Sequence, residues 1–169
     1  MKHALFIGRF QPFHNAHLSD IKRILKDYDK IIIAVGSSQE QDTLENPFSY
    51  IERKEMIENV LKKDKIKRYM IIPSPDLYND VHWVNDVKHR SPKIDVVFSG
   101  NPWTLKCFKK FKYKVKKLTM IKGISSTGIR KMIVKDQNWQ KLVPKEIEEY
   151  INKHNATERI KKLFDHQGK

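Results

Sequence analysis

Leu5-Phe6-Ile7-Gly8-Arg9-Phe10-Gln11-Pro12-Phe13-His14-Asn15-Ala16-His17 opens the chain and decides its fold. Ala4 to Ile7 has the length and apolar composition of a buried strand, and Gly8 marks where the backbone leaves the sheet. A helix follows at once. Asn15 is a good cap residue, and Leu18, Ile21, Ile24 and Leu25 recur at helical spacing through Tyr28. The unpaired amides of a helix start attract anions. His14 and His17, three apart, share one face of that start, where their imidazoles can donate to phosphate oxygens. An arbitrary histidine pair on a helix is more often one buried ring and one surface ring; the strand, turn and helix around this pair favour a phosphate site. No carboxylate or cysteine stands at a zinc-ligand spacing from it, and Cys107 is the chain's single cysteine, so no metal site is expected.

A second cluster lies far along the chain. Ile124-Ser125-Ser126-Thr127-Gly128-Ile129-Arg130 is a hydroxyl-rich helix start in which Ser125, Ser126 or Thr127 can cap a helix that buries Ile129, Met132 and Ile133. Arg130 falls one turn in. Its planar fork can bridge two phosphate oxygens, which the point charge of a lysine cannot. Arginine is scarce among the 34 basic residues, 7 against 27 lysines, so its choice here carries information. Taken alone, the segment reads better as an ordinary capped helix with a solvent-facing arginine.

Between the clusters, strand and helix alternate. Lys30 to Val35 is a β-branched run ending at Gly36; Phe48 to Leu61 has helical spacing; Tyr69 to Ile72 is a strand stopped by Pro73 and Pro75; Ile94 to Phe98 is a fourth, followed by Gly100; Tyr113 to Val115 is a fifth. Continuous apolar strands separated by helices predict an α/β fold, a Rossmann-like parallel sheet with helices on both faces. Its ligand belongs at the carboxyl ends of the strands, where Gly8, Gly36 and Gly100 all fall.

The string Gly8 to His14 followed by His17, together with Ile124 to Arg130, resembles the archaeal-type nicotinamide-nucleotide adenylyltransferases, members of the nucleotidylyltransferase superfamily marked by paired histidines. The resemblance spans most of the chain, through Val143-Pro144 and Ile147, Tyr150 and Ile151, and fades after about His154. It implies transfer of AMP from ATP to nicotinamide mononucleotide, giving NAD and pyrophosphate. His17 and His14 would stabilise the α-phosphate, Arg130, Ser125 and Thr127 would hold the β- and γ-phosphates, and Arg9 would close the site. Gly8, Phe10, Gly100, Asn101 and Ser126 complete the implied ATP site. Gly36, Ser37, Arg53 and Trp83 form the implied nicotinamide-nucleotide site, with Trp83 packed on the nicotinamide. Arg53 reads equally as a solvated helix charge, and Trp83 as core packing. Ala16 stands where the superfamily has Gly, adding a methyl group where the nucleotide approaches the backbone. Mg²⁺ is expected to arrive with ATP, because no carboxylate cluster suggests a protein cage. The same chemistry on flavin mononucleotide or phosphopantetheine shares the phosphate signatures.

Composition agrees. At 169 residues without a Pro-, Gly- or Ser-rich linker, one domain is expected, with a small helical carboxy-terminal part from about residue 137. No apolar stretch is long enough for a membrane span or a signal peptide, and a single cysteine fits a reducing interior, so a cytoplasmic protein without membrane partners is expected. Relatives imply a homo-oligomer. The formal charge of +14 and the run Lys106 to Lys117, with its interleaved lysines and aromatics, raise a different class, an RNA-binding protein on a nucleotide fold. The favoured reading is a helix end entering a strand, with Phe108, Phe111, Tyr113 and Val115 inward and the lysines outward on solvated stems.

Overall fold

In the computed structural model, which describes residues 1–167, the chain alternates strand and helix: β1 (His3–Gly8), α1 (Asn15–Asp27), β2 (Lys30–Gly36), α2 (Tyr50–Lys63), β3 (Tyr69–Ser74), α3 (Asp80–Arg90), β4 (Val96–Ser99), α4 (Pro102–Lys110), β5 (Val115–Lys117) and α5 (Ser126–Val134). A short 3₁₀ turn at Gln140–Leu142 then leads to α6 (Lys145–Lys153) and α7 (Ala156–Gln167). The five strands form one sheet in the order β3-β2-β1-β4-β5, and every neighbouring pair is parallel.

The unbroken apolar strands follow from burial on both faces. Along β1 and β2, Ala4, Phe6, Ile31, Ile33 and Val35 face a layer built from α1, α2, α5, α6 and α7, while Leu5, Ile7, Ile32 and Ala34 face α3 and α4. The chain leaves β1 for one face of the sheet and leaves β4 for the other. Because β1 and β4 are adjacent, a crevice opens between their carboxyl ends, the switch point at which sheets of this kind bind ligands. Trp139, Val143, Ile147, Ile151, Ala156 and Ile160 belong to the same apolar cluster as β1, so the carboxy-terminal helices share the main core.

Several boundaries differ from the sequence reading. Pro73 does not stop β3; it lies within the strand, opposite Val35, because β3 is an edge strand where a missing N–H costs no ladder bond. The second helix starts at Tyr50 rather than Phe48, since Ser49 caps it and its amide donates to Glu52 Oε2 at 2.8 Å. Strand β4 is Val96–Ser99, shorter at its start than Ile94 to Phe98. Strand β5 is shifted two residues past Tyr113, whose amide donates to Phe108 O at 3.2 Å and so closes the end of α4. At α1 the cap position is His14; Asn15 is the first helical residue, and its Nδ2 donates to Lys141 O at 3.0 Å. The lysine-rich run is arranged as the favoured reading has it: Phe108 is fully buried, Phe111, Tyr113 and Val115 pack on the core, and the lysines are exposed. On the three-residue edge strand, Lys116 and Lys117 discourage pairing with another chain.

Candidate active site

The loop after β1 is shaped by tight packing. Phe10 adopts φ 54°, the left-handed region that bulky residues avoid, and its ring turns back beneath Gly8. A Cβ at Gly8 would come within 3.0 Å of Phe10 Cζ, so any larger residue there would press on the Phe10 ring. The next residue, Gln11, is buried and clasps the 46–48 segment: its Nε2 donates to Phe48 O at 2.9 Å and its Oε1 accepts from Phe48 N at 3.0 Å.

The histidines follow, stacked with ring centroids 3.5 Å apart at 13°. The His14 amide donates to His17 Nδ1 at 3.2 Å, which fixes the neutral tautomer of His17 with its proton on Nε2. Phe6, Phe10 and Phe13 surround the His17 ring. Burial lowers the His14 pKa to about 4; burial, and secondarily the neighbouring His14, pull His17 well below its ordinary value. Both rings are therefore neutral at physiological pH, and His17 is a neutral donor beside the unpaired amides of the first turn of α1.

The second cluster is stitched directly onto this loop. Ser126 Oγ donates to Pro12 O at 2.9 Å, and Arg130 Nη1 donates to Gln11 O at 2.8 Å, across 114 and 119 residues of sequence. Ser125 caps α5 by accepting from Gly128 N at 3.0 Å. Arg130 is thus not a solvent-facing helix arginine. It is buried, one end of its fork is held by a carbonyl, and burial, then Arg9, lower its pKa to about 10, leaving it cationic. The Ser126 hydroxyl proton is committed to Pro12, whereas the Ser125 hydroxyl proton and the first-turn amides of Ser126 and Thr127 remain for an anion.

These elements enclose a cleft of about 360 Å³ at the β1/β4 switch point. Its lining brings together Gly8, Arg9, Phe10, His14, His17, Gly36, Ser37, Trp83, Gly100, Asn101, Ser125, Ser126, Thr127 and Arg130. Ala16 also lines it. Arg9 is half-exposed and pairs with Glu45 at 3.4 Å. Arg53 is the one expected site residue absent from the lining, and it is not a solvated charge either. Fully buried, it donates to four carbonyls: Nη1 to Arg9 O at 2.9 Å and Gly36 O at 2.7 Å, Nη2 to Ser37 O at 3.1 Å and Nε to Ser49 O at 3.2 Å. It ties the loops after β1 and β2 together from below. Trp83 is buried and also lines the cleft, with Nε1 donating to Ser74 Oγ at 2.9 Å.

Sequence reasoning assigned no role to Trp103, Gln11 or Asp20. Trp103 stacks on Trp83 with centroids 5.0 Å apart at 28°. It is the second residue of α4, after Pro102, and an indole one residue into a Pro-led helix start at a strand end was the available signal. Asp20 is one turn beyond His17 on α1 and lines the cleft with its pKa raised by burial. Among the described residues no three His, Cys, Asp or Glu side chains come together to hold a metal ion, and no helix is long and apolar enough to cross a membrane.

A Rossmann-like sheet with paired histidines at one helix start and a serine-arginine cluster at another, both on one cleft, defines a nucleotidyltransferase, and the chain belongs to the cytidylyltransferase-like family, whose model matches residues 5–132. Its similar curated relatives are archaeal nicotinamide-nucleotide adenylyltransferases. The protein of Pyrococcus furiosus is 40% identical, over 96% of this chain and 89% of its own length, and that of Saccharolobus solfataricus is 41% identical, over 96% and 97%. Among solved structures, a bifunctional NMN adenylyltransferase/ADP ribose pyrophosphatase from Francisella tularensis, crystallised with AMP and a manganese ion, superposes with a TM-score of 0.81 at 22% identity. The likeness covers 98% of this chain and 53% of that one, so this chain spans about half its length, and the two share the fold.

Proposed function

We propose that this chain transfers the adenylyl group of ATP to nicotinamide mononucleotide, forming NAD and pyrophosphate. The observation that carries the reading is the stitching of the Ser125–Arg130 helix start onto the histidine loop, which gathers neutral donors, free amides and a buried guanidinium on one wall of the cleft. The cleft presents oriented donors and cations, which suits direct displacement without a covalent enzyme intermediate. A phosphate oxygen of the mononucleotide attacks the α-phosphorus of ATP in line, the bond from that phosphorus to the bridging oxygen breaks, and pyrophosphate leaves. Charge growing on the α-phosphate oxygens is met by the His17 Nε2 proton, with His14 beside it; the β- and γ-phosphates lie against Arg130, the Ser125 hydroxyl and the amides of Ser126 and Thr127, and Arg9 closes over them. Preorganised donors of this kind supply rate by positioning and charge stabilisation.

Mg²⁺ fits this reading as a companion of the triphosphate, neutralising it on entry. Asp20 and Asp76 are the carboxylates in the lining; Asp20 pairs with Arg23 at 2.7 Å and Asp76 is engaged by Gln39 Nε2 at 3.0 Å, so neither belongs to a cage. The archaeal resemblance extends the proposal to a homo-oligomer in the cytoplasm, which light scattering on the purified protein tests for the assembly.

Incubation with ATP, Mg²⁺ and, separately, nicotinamide mononucleotide, its nicotinate analogue, flavin mononucleotide and phosphopantetheine tests the function by pyrophosphate release and product identity. NAD formation is expected. Product with flavin mononucleotide or phosphopantetheine alone would keep the reaction and discard the acceptor; no product with any of them, together with salt-dependent RNA binding, would favour the RNA-binding reading.

A further inference from the structure

One segment of this basic chain carries only acids. From residue 37 to 49, between β2 and α2, stand three carboxylates, Glu40, Asp42 and Glu45, and neither lysine nor arginine, in a protein of formal charge +14. The segment is neither helix nor strand, yet it is tied down at several points. Thr43 N donates to Asn46 O at 3.3 Å and Asn46 N donates to Thr43 Oγ1 at 3.0 Å, closing a turn with Leu44 and Glu45 at its tip. Gln11 clasps Phe48 just beyond it, and Arg159 of α7 lies over the Phe48 ring at 5.3 Å and pairs with Glu52 at 2.7 Å. A braced turn thus presents Glu45 beside the cleft. Its carboxylate, three-quarters exposed, meets Arg9 Nη1 at 3.4 Å and forms no other ion pair among the described residues. Its charge also reaches Arg130: burial and then Arg9 lower that guanidinium's pKa, and Glu45 acts against them.

Both arginines line the cleft, but they are engaged differently. Arg130 is held by the Gln11 carbonyl, whereas the Arg9 side chain has Glu45 as its only hydrogen-bond partner among the described residues. A carboxylate and a phosphate offer a guanidinium the same paired oxygens, so they compete for it. A ligand whose phosphate reaches Arg9 must displace Glu45; a ligand bound without Arg9 need not. Resting on the transfer proposed above, in which Arg9 closes over the β- and γ-phosphates, we propose that Glu45 is a specificity-determining residue that competes with those phosphates for Arg9 and so favours release of pyrophosphate. Pyrophosphate depends on this wall for its contacts, whereas ATP also has a base and a ribose to bind through. The same penalty therefore removes a larger share of the product's binding than of the substrate's.

Calorimetric titration of inorganic pyrophosphate and of AMP into the wild type, Glu45→Gln, Glu40→Gln, Arg9→Gln and the double variant Arg9→Gln/Glu45→Gln tests this, with KM for ATP as a kinetic readout. Glu45→Gln is expected to tighten pyrophosphate and to lower KM for ATP by about two- to fivefold each, the range an exposed ion pair is worth. AMP, whose single phosphate is the one met by the histidines, should bind as before. Glu40→Gln removes the same charge from the same segment without touching Arg9 and should have much the smaller effect. With Arg9 replaced, Glu45→Gln should change nothing, because the competition needs both partners. Equal tightening by Glu40→Gln, or tightening that survives the loss of Arg9, would reduce Glu45 to one charge in the general field. Unchanged or weaker pyrophosphate binding in Glu45→Gln would make it a brace of the turn; each of these results overturns the inference. The titrations need no turnover, so failure of the wild type to form NAD would instead overturn the function on which the inference rests.

Discussion

The state of the two histidines governs the chemistry assigned to them. His17 is held by the His14 amide and walled by three phenylalanines, so in the proposed reaction it is a fixed neutral donor. Replacing it with alanine removes one preorganised donor to the developing charge and should lower kcat by about a hundredfold or more with the fold intact, measured by NAD formation and circular dichroism. Near-wild-type turnover would remove His17 from the mechanism. The same burial links the pair to stability. Each ring binds fewer protons folded than unfolded below its ordinary pKa of 6.5, so its contribution is complete above that pH and is lost as the pH falls toward the folded value. For His14, a folded pKa of about 4 corresponds to about 3 kcal/mol across the window. Melting temperature should therefore fall steeply between pH 6.5 and about 4.5, and His14→Asn should flatten that slope; an unchanged slope would place the acid sensitivity elsewhere. Between pH 7 and 8 neither histidine titrates, so kcat should carry no histidine-shaped step there.

Arg53 shows how a charge can serve elements rather than ligands. Four carbonyls from the β1 loop, the β2 end and the start of α2 converge on one guanidinium, which no lysine can replace because a single ammonium has three donors and no planar fork. Arg53→Met strips the guanidinium from Arg9 O and Gly36 O, while Ser49 O keeps Arg53 N at 3.1 Å and Ser37 O keeps Glu40 N at 3.0 Å; the change should cost on the order of 3 kcal/mol, read as a shift in urea midpoint, and Arg53→Lys should recover only part of it. Sequence placed Arg53 near the right loops but not in its role, because helical spacing reports which residue is polar and not whether its partners are phosphates or backbone. The sheet itself was legible: strands buried on both faces have no alternating pattern to misread, and Gly8, Gly36 and Gly100 announced their ends. Boundaries set by tertiary position were not. Whether Pro73 ends a strand depends on whether that strand is an edge, and strand order leaves no mark in local sequence. The two clusters that meet on the cleft were legible because each is a contiguous string, whereas the Trp83–Trp103 stack joins two helices on one face of the sheet, and only packing brings them together.

At the scale of the whole molecule, 27 lysines spread along the chain give a field rather than a patch, and that field acts on folding and on substrate capture in opposite directions. Surplus like charge repels itself in the compact state and destabilises it, and added salt screens this over about 10 Å at 0.1 M. Twelve ion pairs among the described residues oppose the repulsion, but all except Arg159–Glu52 have at least one exposed partner, and such surface pairs are worth at most about 1 kcal/mol each. Raising sodium chloride from about 20 to 300 mM should therefore raise the melting temperature. The same field draws polyanionic ATP toward the cleft, so kcat/KM for ATP should fall over that range. The acceptor carries a pyridinium that offsets part of its phosphate charge, and its kcat/KM should fall less. A lower melting temperature at high salt would mean that the ion pairs outweigh the repulsion, and equal salt slopes for the two substrates would mean that the field does not distinguish their charges.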